Sequence, residues 1–165
     1  MQWVLTASAT LSGNADIRFI PTRGYRVIDI LKIKYLQDMR DEIREYDAVA
    51  KAAEKFVKSV AEGNSEYAKT LFTDDAVLFG ILNGAVERGS IEQFYHNVDT
   101  VGAGEEFKAR IDVLAVEETV AVVRVLEEGW GGSIDFTDFL LLLKLDGEWK
   151  CVAKAYNQNS NTIKG

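Results

Sequence analysis

The sequence predicts an α+β domain, a curved antiparallel sheet packed on one long N-terminal helix and two shorter helices. Three observations lead there. An apolar face at helical spacing runs from Ile43 to Val60. Strand-type patterning then dominates the second half of the chain, from Glu106 to Tyr156. The stretch FTDFLLLLKLDGEWKCVAKAY, residues 136–156, reads as two long strands joined at Asp146-Gly147, a dipeptide that favours tight hairpin turns. Helices first and a meander of strands last make an α+β arrangement.

The elements follow in order. Residues 1–38 show no sustained periodicity and hold the only proline, Pro21. Val27 to Leu36 reads as a short strand or one or two helical turns. Met39 opens MRDEIREYDAVAKAAEKF, which looks like a domain start, so residues 1–38 are expected to be an extension, or a misassigned start, ahead of one domain over 39–165. From Asp41, the residues Ile43, Tyr46, Val49, Ala50, Ala53, Phe56, Val57 and Val60 form one face of a helix of about five turns. Asp41, Glu42 and Glu45 suit the positive end of its dipole, and Gly63-Asn64 ends it. Ser65 is expected to cap a short second helix through Phe72. Ala76 to Ile81 and Val86 to Arg88 read as strands around an Asn83-Gly84 turn. Ser90 and Gln93 have capping-box spacing and would open a third helix through about Asn97. Glu106 to Glu117 alternates as a half-exposed strand, and Val120 to Leu126 is another. Phe139 to Leu143 is apolar on both faces of its strand, so each face needs cover. A helix layer or closed cavity would cover one and a second subunit the other. Helices against the concave side of a curled sheet leave a cone-shaped cavity, a common place for a ligand.

Composition narrows the function. Of 165 residues, 47% are apolar and 27% charged, an ordinary globular balance. A net charge of -7 argues against nucleic acid and against an anionic membrane surface. No apolar run approaches the roughly 20 residues of a membrane helix. The first basic residue is Arg18, so the charged start of a secretory signal is missing, and a cytoplasmic location is expected. Cys151 is the only cysteine and reads as a small core residue. One His and one Cys leave no zinc cluster, and Gly129-Trp130-Gly131-Gly132 lacks phosphate-loop spacing and is read as a bulged loop. No metal and no cofactor are expected.

Three motifs carry a resemblance. They are Val57-x-x-Val60-x-x-Gly63-Asn64, Leu71-Phe72-x-x-Asp75-Ala76, and Phe136-Thr137-Asp138-Phe139-Leu140-x-Leu142-Leu143-Lys144-x-Asp146-Gly147-x-Trp149-Lys150 with the following Lys154. Over residues 42–157 the chain resembles the nuclear transport factor 2-like (cystatin-like) superfamily and, within it, the putative lumazine-binding (SnoaL-like) family. The resemblance implies a cone-shaped barrel that is usually dimeric through the outer sheet face. Its members include isomerases, dehydratases, cyclases, adaptors and domains of no known activity, so fold alone does not choose a function. In the ketosteroid isomerase branch, the oxyanion donor, the base and the partnering acid fall at places held here by Phe56, Gly80 and near Leu141. None can do that work, which disfavours that reaction.

Among residues that can carry chemistry, His96 reads either as an acid–base group or as an exposed helix-end residue. Asp138, on an otherwise apolar strand, reads either as a desolvated proton carrier or as the salt-bridge partner of Lys154. Tyr95 and Tyr156 could offer phenols to a ligand or simply pack. Trp130, between glycines, could close the cavity mouth or equally stand as a surface-loop aromatic, and Phe56 and Phe79 are expected to line the cavity wall. Arg110 and Arg124 are expected to face solvent. The first functional reading is a homodimer that binds a small hydrophobic or aromatic organic molecule in an apolar pocket. The second is a cofactor-free dehydratase, isomerase or cyclase using His96 and Asp138. The third is an association module.

Overall fold

In a computed structural model, residues 4–9, 15–20 and 27–161 are described. Pro21 lies outside them. The chain divides into two units, residues 1–44 and 45–165. In the first unit, β1 (Val4–Ala9) pairs antiparallel with β2 (Ala15–Ile20). Helix α1 spans Val27–Glu62, so the helix starts before the acidic run at Asp41 that was expected to open it.

The second unit holds α1 from Glu45 to Glu62 and the remaining elements. The latter are α2 (Glu66–Lys69), β3 (Phe72–Leu82), β4 (Ala85–Ser90), α3 (Glu92–Val101), β5 (Ala103–Val116), β6 (Val120–Trp130), β7 (Ile134–Leu145) and β8 (Glu148–Asn161). One curved sheet has the order β4-β3-β8-β7-β6-β5. It is antiparallel except between β3 and β8, which run parallel. Asn83-Gly84 and Asp146-Gly147 turn the two tight hairpins with φ of 50° and 79°, and 51° and 84°. Positive φ at both central positions matches the twist of the strands they join.

The expected apolar stripe builds the core on the helix side from Val49 onward, whereas its first members, Ile43 and Tyr46, are exposed. Val49, Ala53, Phe56 and Val60 are fully buried with Leu71, Ile91, Val98, Val123, Val125, Leu140 and Leu142. Glu45 ties the β7–β8 hairpin to the helix, accepting from Lys144 Nζ at 2.6 Å and Trp149 Nε1 at 2.9 Å. Cys151 is buried here too, and burial pushes its thiol up to about 12, which keeps it an inert core group.

Neither expected cap forms. The Ser65 hydroxyl and backbone N–H instead donate to Asp99 on α3, each at 2.8 Å. These two bonds hold the Asp99 carboxyl below its usual range. Ser90 lies at the end of β4 opposite Val77, and α3 starts after Ile91, whose N–H donates to Ala76 O at 2.9 Å. In both places a partner distant in sequence satisfies the backbone before a local side chain can.

Three irregularities decide which side chains face inward. The registers shift between Phe72 and Val77 on β3, between Glu127 and Trp130 on β6, and opposite Leu141/Leu142 on β8, where Val152 is the extra residue. A bulge adds one residue and reverses the alternation beyond it. Cys151 and Lys154, three apart, are therefore both inward and buried, as are Glu127 and Trp130.

Candidate functional site

A cavity of about 190 Å³ opens between α3 and the β4, β3 and β8 side of the sheet. Phe94, Trp130, Phe136 and Tyr156 make an aromatic wall, with centroid spacings of 5.9, 5.5 and 5.8 Å along that series, each pair edge-on. Leu78, Leu82, Ile134 and Val101 complete the apolar lining, and Gln93 and Asn97 of α3 stand with them. The ionisable groups on the cavity are Glu87, Lys154 and Tyr156.

Lys154 is only 4% exposed. Its ammonium lies 4.2 Å from the ring centroid of Tyr156, 5.4 Å from that of Phe94 and 5.6 Å from that of Phe56. Aromatic faces attract a cation, most strongly where water is excluded. Its charge partner is Asp138 of β7, which is fully buried. Behind them lies a second buried carboxyl, Glu127 of β6. No donor from another described residue reaches either Glu127 oxygen. Two carboxyls and one ammonium, all out of water, balance only if one carboxyl keeps its proton. Glu127 is that group. Burial raises its pKa well above the usual range, the Asp138 charge raises it further, and its proton bonds Asp138. Burial also raises Asp138, but Lys154 and the Glu127 hydrogen bond oppose this.

On the other side of the Tyr156 ring, the phenol donates to Glu87 Oε2. Burial first, and Glu87 second, raise the Tyr156 pKa. The ring lies over Gly80, its register partner on β3, where a Cβ would come within 2.3 Å of the ring.

Of the residues singled out in the sequence, the structure brings Trp130, Lys154 and Tyr156 together on the cavity. Asp138 is one layer beneath, in contact with Lys154. Phe56 is also beneath, fully buried and stacked on Phe94 at 5.1 Å. Tyr95 packs in the core against Phe72 at 6.3 Å, and burial lifts its phenol to about 12. His96 is on the solvent side of α3, since Gln93, Phe94, Asn97 and Val101 are its cavity-facing residues. His96 and the fully buried Asp138 are thus not brought together. Phe79 is 51% exposed on the outer face of β3, opposite Ala155, whose neighbours Lys154 and Tyr156 point inward. The cavity wall takes Leu78 in its place. Arg124 and Arg110 of the outer face both bond Asp112, each at 2.8 Å, and hold its carboxyl below the usual range.

Glu87, Phe94, Phe136 and Glu127 were not singled out from the sequence. Glu127 carried a signal, because Val123, Val125 and Glu127 share one parity on β6. No helix among the described residues is long and apolar enough to cross a membrane, and no cluster of three His, Cys, Asp or Glu there could hold a metal.

Helices laid on a curved, mostly antiparallel six-stranded sheet, with a cavity between the sheet and α3, define the nuclear transport factor 2-like class. Solved structures agree. The chain is 27% identical to an NTF2-like protein of unknown function from Shewanella baltica, with a TM-score of 0.66 over 72% of this chain and 96% of that one. It is also 27% identical to an NTF2-like protein of unknown function from Methylobacillus flagellatus, with a TM-score of 0.66 over 72% and 94%. Within this class the chain belongs to the family described as "Putative lumazine-binding", whose model matches residues 44–157. A relative from Cladobotryum sp, aldolase FrzH, is 35% identical over 113 residues, which are 68% of this chain and 90% of the relative.

Proposed function

We propose that this protein binds a small organic molecule, mostly apolar or aromatic, in the cavity beside Lys154. One observation carries the reading: an aromatic-walled cavity of about 190 Å³ ends on a buried, ion-paired ammonium. The walls favour an apolar body and the ammonium favours a carbonyl or anionic group at one end. The family match over 44–157 supports a ligand-binding role for residues 39–165, with 1–38 as an appended extension. The same proposal includes a homodimer through the outer sheet face, where Phe139 is 43% and Leu141 39% exposed.

Titration with a panel of aromatic ketones and carboxylates, followed by saturation-transfer NMR, tests the binding. Lys154→Met alone leaves Asp138 without its charge partner and is expected to destabilise the fold by about 3–5 kcal/mol. The double variant Lys154→Met/Asp138→Asn removes both charges together, and it is expected to fold and to lose about 10- to 100-fold in affinity for ligands that wild type binds. Equal affinity in the folded double variant would refute a polar end at Lys154.

A second reading is favoured by the 35% identity to an aldolase. In it the chain is a cofactor-free enzyme acting on carbonyl compounds, and Lys154 polarises the carbonyl. This version has no role for His96, which is exposed and away from the cavity.

A further inference from the structure

We infer that Glu87 is a catalytic base and Lys154 an electrophile, and that the cavity takes an enolisable ketone or aldehyde whose α-proton Glu87 removes. This rests on the pocket reading and deepens it by naming a substrate class.

Carbon-acid chemistry needs a carboxylate or similar base facing the α-carbon and a positive or hydrogen-bonding group at the carbonyl oxygen, both out of bulk water. The cavity presents one of each. Glu87 is half-buried on the edge strand β4 and lines it, and Lys154 lines it from β8. Tyr156 separates them, with its hydroxyl on Glu87 and its ring face 4.2 Å from the ammonium. The acid and the base therefore flank the same apolar space without neutralising each other. The phenol engages Glu87 Oε2, and Oε1 accepts no hydrogen bond from another described residue.

Three elements hold this spacer. Gly80 leaves room beneath the ring, Phe136 packs edge-on against it at 5.8 Å, and Glu87 fixes the hydroxyl. Tyr156 is a positioning residue, because its own proton is committed to Glu87. Lys154 acts as a fixed positive charge, because Asp138 is bonded behind it.

The step balances without a cofactor. The Glu87 carboxylate takes the α-proton. The C–H pair becomes the carbon–carbon π bond of the enolate, and the carbonyl π pair moves to oxygen, where the Lys154 ammonium stabilises it. In D₂O, protonated Glu87 trades its proton for a deuteron from solvent, and returning that deuteron to carbon completes an exchange. With a second carbonyl compound present, the enolate carbon instead bonds its carbonyl carbon, and protonated Glu87 delivers the proton to the new alkoxide.

The test uses the full chain in D₂O with cyclohexanone, acetophenone and 2-tetralone. Binding is read by saturation-transfer NMR and α-deuteration by mass spectrometry. Wild type is expected to bind at least one ketone and speed its exchange. Glu87→Gln is expected to keep that binding and lose about 100-fold or more in exchange rate. Glu87→Ala is expected to lose exchange too and to regain part of it with added acetate, a response that a structural role for Glu87 would not produce. Circular dichroism confirms that each variant is folded. Exchange at the wild-type rate in Glu87→Gln, or no acetate rescue of folded Glu87→Ala, overturns the assignment. Binding by wild type without faster exchange overturns the inference and leaves the pocket reading standing. Failure to bind any of the three ketones overturns the inference, and the pocket reading falls with it only if the carboxylates of the wider panel also fail to bind.

Discussion

Glu127 follows the inward parity of Val123 and Val125, so the backbone carries a carboxyl into a place chosen for apolar groups. Water cannot reach it, and Lys154 is already paired with Asp138. Keeping its proton is the cheaper state, and that proton then bonds Asp138. The consequence for stability has a definite sign. A carboxyl whose folded pKa is raised binds more protons folded than unfolded. Its contribution is complete below the unfolded value of about 4.3 and is lost as pH rises toward the folded value, by at most about 1.4 kcal/mol per pH unit. Asp99 and Asp112 shift the other way, so their contributions are lost only on acidification below the ordinary carboxylate range. Glu127→Gln supplies a neutral group of the same shape that can still donate to Asp138. Urea denaturation at pH 5, 6 and 7 is expected to show wild type losing stability across the series relative to the glutamine variant. A constant difference between the two proteins would mean that Glu127 is not the proton holder.

The bulges at the element scale explain what could and could not be read from the chain. The α1 stripe, the two glycine turns and the β6–β7–β8 meander follow from periodicity and turn chemistry, both local properties. Lys154 and Trp130 do not. Plain alternation from Cys151 puts Ala153 inward and Lys154 outward, and alternation from Glu127 puts Trp130 outward. Each bulge reverses this, and neither is visible to a rule of period two. Phe79 fails for another reason. On β3 the bulkier set, Val77, Phe79 and Ile81, faces out, and Ala76, Leu78 and Gly80 face in, because Tyr156 of β8 needs the space over Gly80. That requirement comes from a residue 76 positions away, which no local pattern contains. It also predicts the effect of a single methyl group. Gly80→Ala is expected to displace the Tyr156 ring and cost about 1–3 kcal/mol. Tyr156→Ala should remove most of that cost, giving a coupling of about 0.5–3 kcal/mol in a double-mutant cycle by thermal or urea unfolding. Additive costs would show that the ring does not depend on the missing side chain.

For the molecule as a whole, the same inversion on β3 loads the outer sheet face. Phe79, Ala155, Phe139, Arg124 and Asp112 lie in one row across five strands, and Val77, Ala153, Leu141 and Val122 lie in the next. Seven of these nine residues are apolar, and the charged pair stands at one end of its row, with Arg124 bonded to Asp112 at 2.8 Å. An apolar field bordered by a satisfied ion pair has the layout of an interface core and rim. A two-fold dimer would place the patch against its own copy, so each substitution there acts twice. The full chain is expected to sediment as a dimer at micromolar concentration. Phe139→Lys/Leu141→Lys is expected to give a folded monomer, because both side chains point away from the cavity and the inward core beneath stays intact. Two buried, unpaired lysines per subunit at such a surface would cost several kcal/mol on association, weakening the dimer by about 1,000-fold or more. Sedimentation equilibrium of both proteins decides it. A wild-type monomer at tens of micromolar, or a lysine variant that stays dimeric, would show that the outer apolar face is not where two copies meet.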